Sequence, residues 1–287
     1  MEGERVALLV SILMSVYNGE ATLRTAVDSI LAQTFTDFEF IICDDGSTDS
    51  TWEILCEYRE KEGRIRILQN SQNLGLAASL NNCFTIAEGR YIARQDADDV
   101  SAPDRLERTL HYLQEEDAPY VGCGVCVFDD GGIWSRRLHP ERITKHLIAQ
   151  KNPFFHPTML FKRETLEMAG GYRATAVTRR TEDYDLVMRL AAQGVIGQNL
   201  QEYLYYVYEP PEAYRRHTLR TRWCEVLVRW DGLHQMAAPL RDYIYLCKPL
   251  MMCMVPRDLL KQVKRLQWKK REREGAFGSA ERTNLHT

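Results

Sequence analysis

The feature that most constrains the fold is a repeated alternation of short apolar runs with segments of helical periodicity. Apolar runs lie at residues 8–14, 38–43, 65–68 and 91–94. Between them, apolar residues recur every three or four positions, as in Leu23, Ala26, Val27, Ile30 and Leu31. Repeated strand and helix units with apolar strands predict an α/β fold, in which helices cover both faces of a parallel sheet.

Polar clusters follow three of these predicted strands directly. They are Tyr17-Asn18, Asp44-Asp45-Gly46-Ser47 and Asp96-Ala97-Asp98-Asp99. Parallel strands end at the same edge of a sheet, and ligands bind there at the point where the strand order reverses. We therefore expect the three clusters to lie on one rim.

The acidic run at 96–99 is the strongest single feature of the sequence. Asp96 and Asp98 repel each other unless a hard cation lies between them, and Mg²⁺ or Mn²⁺ prefers such oxygen ligands. A cation there would also neutralise a departing diphosphate. The alternative is a solvated acidic loop without a ligand.

Two other acidic segments allow both a functional and a structural interpretation. Asp44-Asp45 could accept hydrogen bonds from a uracil ring or a ribose, or could form a turn with a helix cap. Residues 181–185, Thr-Glu-Asp-Tyr-Asp, could provide a general base or could simply favour the start of a helix. His156 could face an acceptor or phosphate, or be a structural histidine.

The pattern changes after Pro103. We expect helices at 104–115 and 182–193, the latter capped by Thr181, and strands at 120–128, 133–138 and 158–161. Asp49 or Ser50 is expected to cap an earlier helix. From residue 217 onward the chain is expected to be largely helical.

Composition excludes several classes of protein. With 37 basic and 40 acidic residues, the formal charge of −3 does not support binding to nucleic acid through the whole surface. Eight scattered cysteines fit reduced thiols, and Cys123 and Cys126 are expected to be buried strand residues. No stretch approaches the ~20 apolar residues that cross a bilayer, which predicts a soluble, cytoplasmic protein.

A basic segment at 257–274 allows two interpretations. It carries eight Lys or Arg and three acidic residues, a net charge of +5. It could be a solvated terminal helix, or it could attach the protein peripherally to an anionic membrane surface. Residues 275–287 are expected to be a disordered tail.

Several segments, in their order along the chain, closely resemble the family 2 glycosyltransferases of GT-A fold. These segments are 11–18, 28–34, 44–49, 73–75, 91–99, 156–157, 170–172 and 182–186. The resemblance covers roughly the first 210 residues. It implies a GT-A, Rossmann-like, mixed and mainly parallel sheet flanked by helices, with a C-terminal helical extension. It also implies an inverting transferase that uses a nucleoside diphosphate sugar, most often a UDP-sugar, with Mn²⁺ or Mg²⁺.

The resemblance carries roles over to individual residues. Tyr17 would lie beside the base, Asp45 would hold the uracil, and Asp44 would lie near the ribose. Asp96 and Asp98 would form the DxD motif, with Asp98 in contact with the metal. The donor-binding residues would be Ser15, Tyr17, Asn18, Asp44, Asp45, Asn73 and Asp96. On the acceptor side, Asp183 would be the catalytic base, with His156 and Glu182 beside the acceptor.

The resemblance also predicts the organisation and the acceptor. Residues 1–212 would form the transferase domain, with a nucleotide-binding half at 1–100 and an acceptor half at 101–212. Residues 213–274 would form the helical extension. The acceptor would be a hydroxyl of a glycan or a lipid-linked glycan, in polysaccharide synthesis at the cell envelope.

The match has departures, and other classes compete with it. Ser15 replaces a usual Pro and Val187 a usual Trp, and Val226 stands at the Gln position of the QxxRW segment, which argues against a polymer-extruding synthase. A non-catalytic nucleotide-sugar-binding relative is one alternative. A sugar-phosphate nucleotidyltransferase is another, but its Gly-rich, Arg-containing loop is missing after the first strand.

Overall fold

The computed structural model describes residues 9–210 and 219–251. The strands are β1 (Val10–Val16), β2 (Phe38–Asp44), β3 (Ile65–Gln69), β4 (Tyr91–Arg94), β5 (Val100–Ser101), β6 (Tyr120–Asp129), β7 (Gly132–Arg137), β8 (Leu160–Lys162) and β9 (Gln198–Tyr208). The helices are α1 (Leu23–Leu31), α2 (Thr51–Lys61), α3 (Leu76–Ile86), α4 (Arg105–Glu115), α5 (Lys145–Gln150), α6 (Arg163–Met168), α7 (Glu182–Ala192), α8 (Leu219–Gln235) and α9 (Lys248–Met251). Short 3₁₀ helices span His156–Thr158 and Leu240–Cys247.

Within the described residues the strands form one mixed sheet in the order β3-β2-β1-β4-β8-β6-β9-β5, with β7 paired to β6. The block β3-β2-β1-β4 is parallel throughout. Strands β8, β7 and β5 pair antiparallel to their neighbours, whereas β6 and β9 run parallel to each other. The mixed α/β sheet flanked by helices is therefore confirmed, with its parallel part concentrated in the first half of the chain.

The strand order reverses between β1 and β4. The chain proceeds from β1 outward to β2 and β3, and then returns to place β4 on the other side of β1. The carboxyl ends of these two neighbouring strands therefore border the crevice where parallel sheets bind ligands. Tyr17 follows β1 there, and Asp96 follows β4.

Both faces of β1, β2 and β4 are buried, which explains why these strands are mostly apolar without alternation, whereas β3 at the edge is partly exposed and carries Arg66. Successive residues point to opposite faces. One face packs Ile12, Phe40, Ile42, Val27, Leu55 and Leu106, the last three contributed by α1, α2 and α4. The other packs Leu13, Ile41, Leu80, Leu186 and Leu233, the last three contributed by α3, α7 and α8.

The helical part after residue 219 packs against the core through α7. Val228 and Leu233 of α8 are buried, and a Cβ on Gly232 would lie 2.5 Å from the Met188 sulfur, so glycine allows the two helices to approach closely. The predicted boundary at 212/213, the basic segment 257–274 and the tail 275–287 lie outside the described residues. Within 9–210 and 219–251, no helix is both long and apolar enough to cross a membrane.

Some local expectations need correction. The strand expected at 158–161 is β8 at Leu160–Lys162, because Thr158 belongs to the 3₁₀ helix that begins at His156. Thr181 does not cap α7 with its side chain, since its hydroxyl donates to the Thr178 carbonyl at 3.2 Å. At α2, Asp49 accepts from the Thr51 amide at 3.1 Å, whereas Ser50 makes no capping bond. Cys123 and Cys126 are buried free thiols, as expected.

Candidate active site

The loops that follow β1 and β2 are joined through Asn18. The Asn18 amide donates to Ser47 Oγ at 2.9 Å, and the Thr48 amide donates to Asn18 Oδ1 at 2.8 Å. Asn18 adopts a left-handed backbone conformation with φ of 51°, which asparagine tolerates better than most residues. Asn18, predicted to bind the donor, thus uses its side-chain oxygen to hold two rim loops together.

Asp44 and Asp45 are both buried, but only Asp45 lines one of the two pockets described below. The Asp44 carboxylate accepts from the Ser47 amide and from Gln69 Nε2, both at 3.0 Å. Asp45 accepts from Asn70 Nδ2 at 2.8 Å and from the amides of Leu74 and Gly75 at 2.9 and 2.8 Å. Asp45 therefore lies on the pocket wall, while Asp44 supports the turn behind it.

Gly46 is required at this turn. Its φ is 75°, and a Cβ there would lie 2.7 Å from the backbone carbonyl carbon of Gln72. Any side chain would push the turn away from the segment that carries Asn73.

The acidic run brings three carboxylates together. One oxygen each from Asp96, Asp98 and Asp99 lies within 4.8 Å of the others. Asp99 is buried and accepts from the Tyr208 amide at 2.8 Å, and burial, with the charges of Asp96 and Asp98, raises its pKa well above the usual range. Three carboxylate oxygens gathered in this way form a ligand set that fits a hard divalent cation.

Beneath this cluster lies a buried arginine. Arg94 is 2% exposed, and its Nη2 donates to Asp96 Oδ1 at 2.5 Å while its Nη1 donates to the Gln95 carbonyl. The Asp96 amide donates to the Tyr205 hydroxyl at 3.0 Å. Asp96 is thus fixed from two sides before any ligand binds.

His156 lies in the same buried layer as Arg94. Its Nε2 contacts the Tyr172 hydroxyl at 2.9 Å, and burial, with the nearby charge of Arg94, lowers its pKa well below the usual value. A neutral, partnered imidazole fits a structural role. His156 lines neither of the two pockets, and its predicted contact with the acceptor stays a prediction.

Two pockets meet at the end of β1. The larger has a volume of about 720 Å³ and the smaller about 340 Å³, and both are lined by Ser15 and Tyr17. The larger is also lined by Asp45, Asn73, Arg179, Arg180 and Glu182. The smaller is also lined by Asn18, Asp96, Asp98 and Tyr208. The structure thus brings most of the residues predicted for the donor onto one continuous rim.

Glu182 and Asp183 begin α7 and have different surroundings. Glu182 lines the larger pocket, and burial, followed by the charge of Asp183, raises its pKa to about 7. The Asp183 carboxylate accepts from Asn152 Nδ2 at 2.8 Å, and burial raises its pKa as well. Glu182 lines the larger pocket, whereas Asp183 lines neither of the two pockets but is the less buried of the two residues.

Sequence reasoning missed Arg179 and Arg180, which contribute two positive charges to the larger pocket. Arg179 Nη2 donates to Asn73 Oδ1 at 3.1 Å, and Arg180 has a φ of 71°, an uncommon conformation for a residue with a side chain. Such backbone strain often accompanies functional sites. The available signal was a pair of arginines directly before the acidic segment 181–185.

The loop that carries these arginines is anchored at its start. Arg173 Nε donates to Asp185 Oδ1 at 2.8 Å, and its Nη2 donates to Asp231 of α8 at 2.7 Å. Asp185 is fully buried and also accepts from Arg189 Nε at 2.8 Å. This ion-pair network fixes the loop to both α7 and α8.

Comparison with known proteins gives consistent results. The family model for glycosyl transferase family 2 matches residues 11–173. The chain is 39% identical over 253 residues to the putative glycosyltransferase EpsE of Bacillus subtilis, covering 88% of this chain and 91% of that protein. It is 40% identical over 108 residues to the Escherichia coli UDP-Glc:alpha-D-GlcNAc-diphosphoundecaprenol beta-1,3-glucosyltransferase WfaP, covering 38% of this chain and 42% of that protein.

A solved structure agrees at the level of the fold. The complex of Staphylococcus aureus TarS 1–349 with UDP-GlcNAc aligns with a TM-score of 0.64 at 18% identity. The alignment covers 93% of this chain and 92% of that one.

Proposed function

Because the chain belongs to glycosyltransferase family 2 and is therefore a transferase, we propose that it moves a sugar from a nucleoside diphosphate sugar, in the first instance a UDP-sugar, to an acceptor hydroxyl. One observation carries the proposal. Asp45, the two arginines and Glu182 line one pocket, which shares Ser15 and Tyr17 with the pocket of Asp96 and Asp98. A donor spanning both pockets would contact a base-binding wall, cations and an acidic metal site.

Asp45 has the capacity to bind the uracil. A carboxylate offers about four acceptor positions, and three are used by Asn70, Leu74 and Gly75. The remaining one can accept the imide N–H of uracil. Tyr17, which is 49% exposed, provides a ring surface next to it, and Asp44 acts indirectly by holding the turn.

Asp98, with Asp96, would hold Mn²⁺ or Mg²⁺. When bound, the ion would neutralise the diphosphate and stabilise it as a leaving group. Arg94 already occupies one oxygen of Asp96, which supports Asp98 as the main ligand. The side chains of Arg179 and Arg180 add charge that can hold the same diphosphate.

The reaction needs one general base. In the proposed step the acceptor hydroxyl gives its proton to Asp183 while its oxygen bonds to the anomeric carbon. The bond from that carbon to the diphosphate breaks, and the configuration inverts. Asn152 orients Asp183 through the bond at 2.8 Å. Glu182 is a second candidate, because it lines the pocket and its pKa of about 7 suits proton transfer at neutral pH.

The acceptor is proposed to be a glycan or lipid-linked glycan of the cell envelope. The similarity to WfaP, whose name specifies a diphosphoundecaprenol-linked acceptor, supports this class. Residence in the cytoplasm, with peripheral contact to the membrane, remains a prediction.

A panel of nucleotide sugars tests the function directly. Purified protein should be stabilised against heat by one donor in the presence of Mn²⁺ and should hydrolyse that donor slowly without acceptor. Binding without any turnover, with or without acceptor, would indicate the non-catalytic alternative. Release of pyrophosphate from UTP and a sugar phosphate would indicate a nucleotidyltransferase.

A further inference from the structure

Helix α8 carries an apolar stripe that faces away from the core. Leu219, Trp223, Leu227 and Trp230 are 74%, 54%, 38% and 55% exposed. Their spacing of four, four and three residues places them along one side of the helix, opposite the face that buries Val228. We call these four residues the α8 stripe.

Exposed apolar residues are concentrated in this part of the molecule. Of the thirteen large hydrophobic residues exposed within the described residues, eight lie in 219–251. The Trp230 ring contacts the Tyr243 ring edge-on, with 5.6 Å between the ring centroids. Tyr243 belongs to the 3₁₀ helix Leu240–Cys247, which also exposes Leu240 and Ile244. A concentration of this kind marks an interaction surface, whereas scattered exposed apolar residues do not.

The α8 stripe lies beside the candidate active site. Cys224, next to Trp223, contacts the carbonyl oxygen of Ala176, a residue that lines the larger pocket, at 3.8 Å. Asp231, next to Trp230, pairs with Arg173 at the start of the same loop. A surface that covers the α8 stripe would therefore lie close to the loop bordering this pocket.

We propose that the α8 stripe docks on an anionic phospholipid membrane and so brings the pocket to a lipid-linked acceptor. The inference rests on the proposed function for the class of acceptor. Two of the four stripe residues are tryptophans, which favour the boundary between lipid and water because the indole is apolar with one polar N–H. Apolar contact of this kind binds a membrane strongly only when electrostatic attraction is added.

The surrounding charge favours a membrane over a second copy of the chain. Residues 219–251 contain five basic and three acidic residues; Arg229 is buried beside Glu225, whereas the Arg241 side chain is 75% exposed. The sequence continues with the net charge of +5 in 257–274. Anionic headgroups attract this charge, whereas a symmetric contact between two copies would bring like charges together.

Vesicle binding with a position-specific quencher tests the proposal. The parent protein for this test is the full chain with Trp268→Phe, which removes the tryptophan of the basic segment 257–274 from the fluorescence signal. Vesicles of phosphatidylglycerol and phosphatidylcholine with brominated acyl chains should quench its tryptophan fluorescence. Adding Trp223→Ser and Trp230→Ser to this parent should reduce the amount of protein that sediments with the vesicles at least ~10-fold, because two indoles are lost from the contact.

Met168→Ser is the matched control, since Met168 is 55% exposed on α6, and it should leave vesicle binding unchanged. Donor hydrolysis without vesicles should stay the same in both variants, so that a failure of docking is separable from a failure of the transferase function. Equal sedimentation of the double Ser variant and its parent would overturn the proposal. So would binding without quenching, or a dimer of the parent that the two Ser substitutions dissociate.

Discussion

Arg179 and Asn73 meet across the edge of the larger pocket, where Arg179 Nη2 donates to Asn73 Oδ1 at 3.1 Å although 106 positions separate them in the sequence. This contact joins the loop before α7 to the loop before α3. It places a guanidinium beside the loop 73–75, whose Gly75 amide donates to Asp45 at 2.8 Å, and a diphosphate in the pocket could replace or share the Asn73 oxygen as its partner.

Replacing both arginines of this loop should weaken donor binding. For Arg179→Ala with Arg180→Ala we expect the donor KM to rise ~10–100-fold, since a hydrogen bond to a charged group contributes about 1.5–3 kcal/mol. Steady-state kinetics at saturating acceptor measures this. Arg24→Ala on α1 removes a half-exposed arginine outside both pockets and should leave the KM unchanged. An unaltered KM in the double variant would remove the arginines from the donor site.

Asp98→Ala should abolish the metal-dependent part of donor binding. Mutation of residues that hydrogen-bond to metal ligands typically lowers metal affinity about 10–100-fold. Loss of a ligand itself should therefore lower it at least ~100-fold. Calorimetric titration of UDP-sugar with and without Mn²⁺ reads this out. Asp37→Ala is the control, because Asp37 is exposed directly before β2, at the opposite edge of the sheet. Equal Mn²⁺ dependence in wild type and Asp98→Ala would refute the metal site.

Substitution of the two neighbouring acids should identify the base. We expect Asp183→Asn to bind donor normally while turnover drops ~10²–10⁴-fold, the usual contribution of a positioned base. Glu182→Gln should reduce turnover less. If the order is reversed, Glu182 is the base, which its position on the pocket wall would explain.

The raised pKa of Glu182 should make stability depend on pH. Its carboxyl has a pKa of about 7 in the folded protein against 4.5 in an unfolded chain, mainly because of burial. The folded state therefore holds the proton more tightly, and this contribution is complete below pH 4.5 and lost as pH rises through 7. Between pH 4.5 and 8 the metal-free wild type should lose about 2–3 kcal/mol more of its free energy of unfolding than Glu182→Gln. Urea unfolding of both proteins across this range measures it, and parallel curves would show that Glu182 ionises freely.

In the ion-pair network around Arg173, replacing a buried carboxylate should cost more free energy of unfolding than replacing an exposed one. Asp185→Ala leaves Arg189, whose side chain is 10% exposed, without its carboxylate, and should cost about 3–5 kcal/mol. Asp231→Ala removes a carboxylate that is 44% exposed, and solvent screening should limit the cost to about 1 kcal/mol. Denaturant unfolding of the two variants tests the order. Equal losses would mean that burial does not set the strength of these pairs.

The sheet and the rim could be predicted because their signals are local. Strands β1, β2 and β4 consist mostly of apolar residues, and the polar residues at or directly after their ends are placed at one edge by the parallel arrangement. The positions of Asp45, Asp96 and Asp98 on that edge follow from the strand ends alone. No contact between distant segments had to be known.

The remaining features depend on contacts that sequence spacing does not contain. Asp44 and Asp45 are adjacent in sequence, and only the fold shows that Gln69 and Ser47 occupy Asp44 while the pocket opens onto Asp45. His156 is buried against Tyr172, a partner 16 positions away in the sequence.

Arg94 has a consequence for the proposed metal site at Asp96 and Asp98. Its guanidinium is a permanent internal counter-ion, covered by protein and therefore hardly screened by dissolved salt. If a divalent cation bound there left with the product, Asp96 would keep Arg94 as a positive neighbour, which would limit the repulsion among the aspartates without movement of the loop. The rim would then retain its shape through repeated turnover.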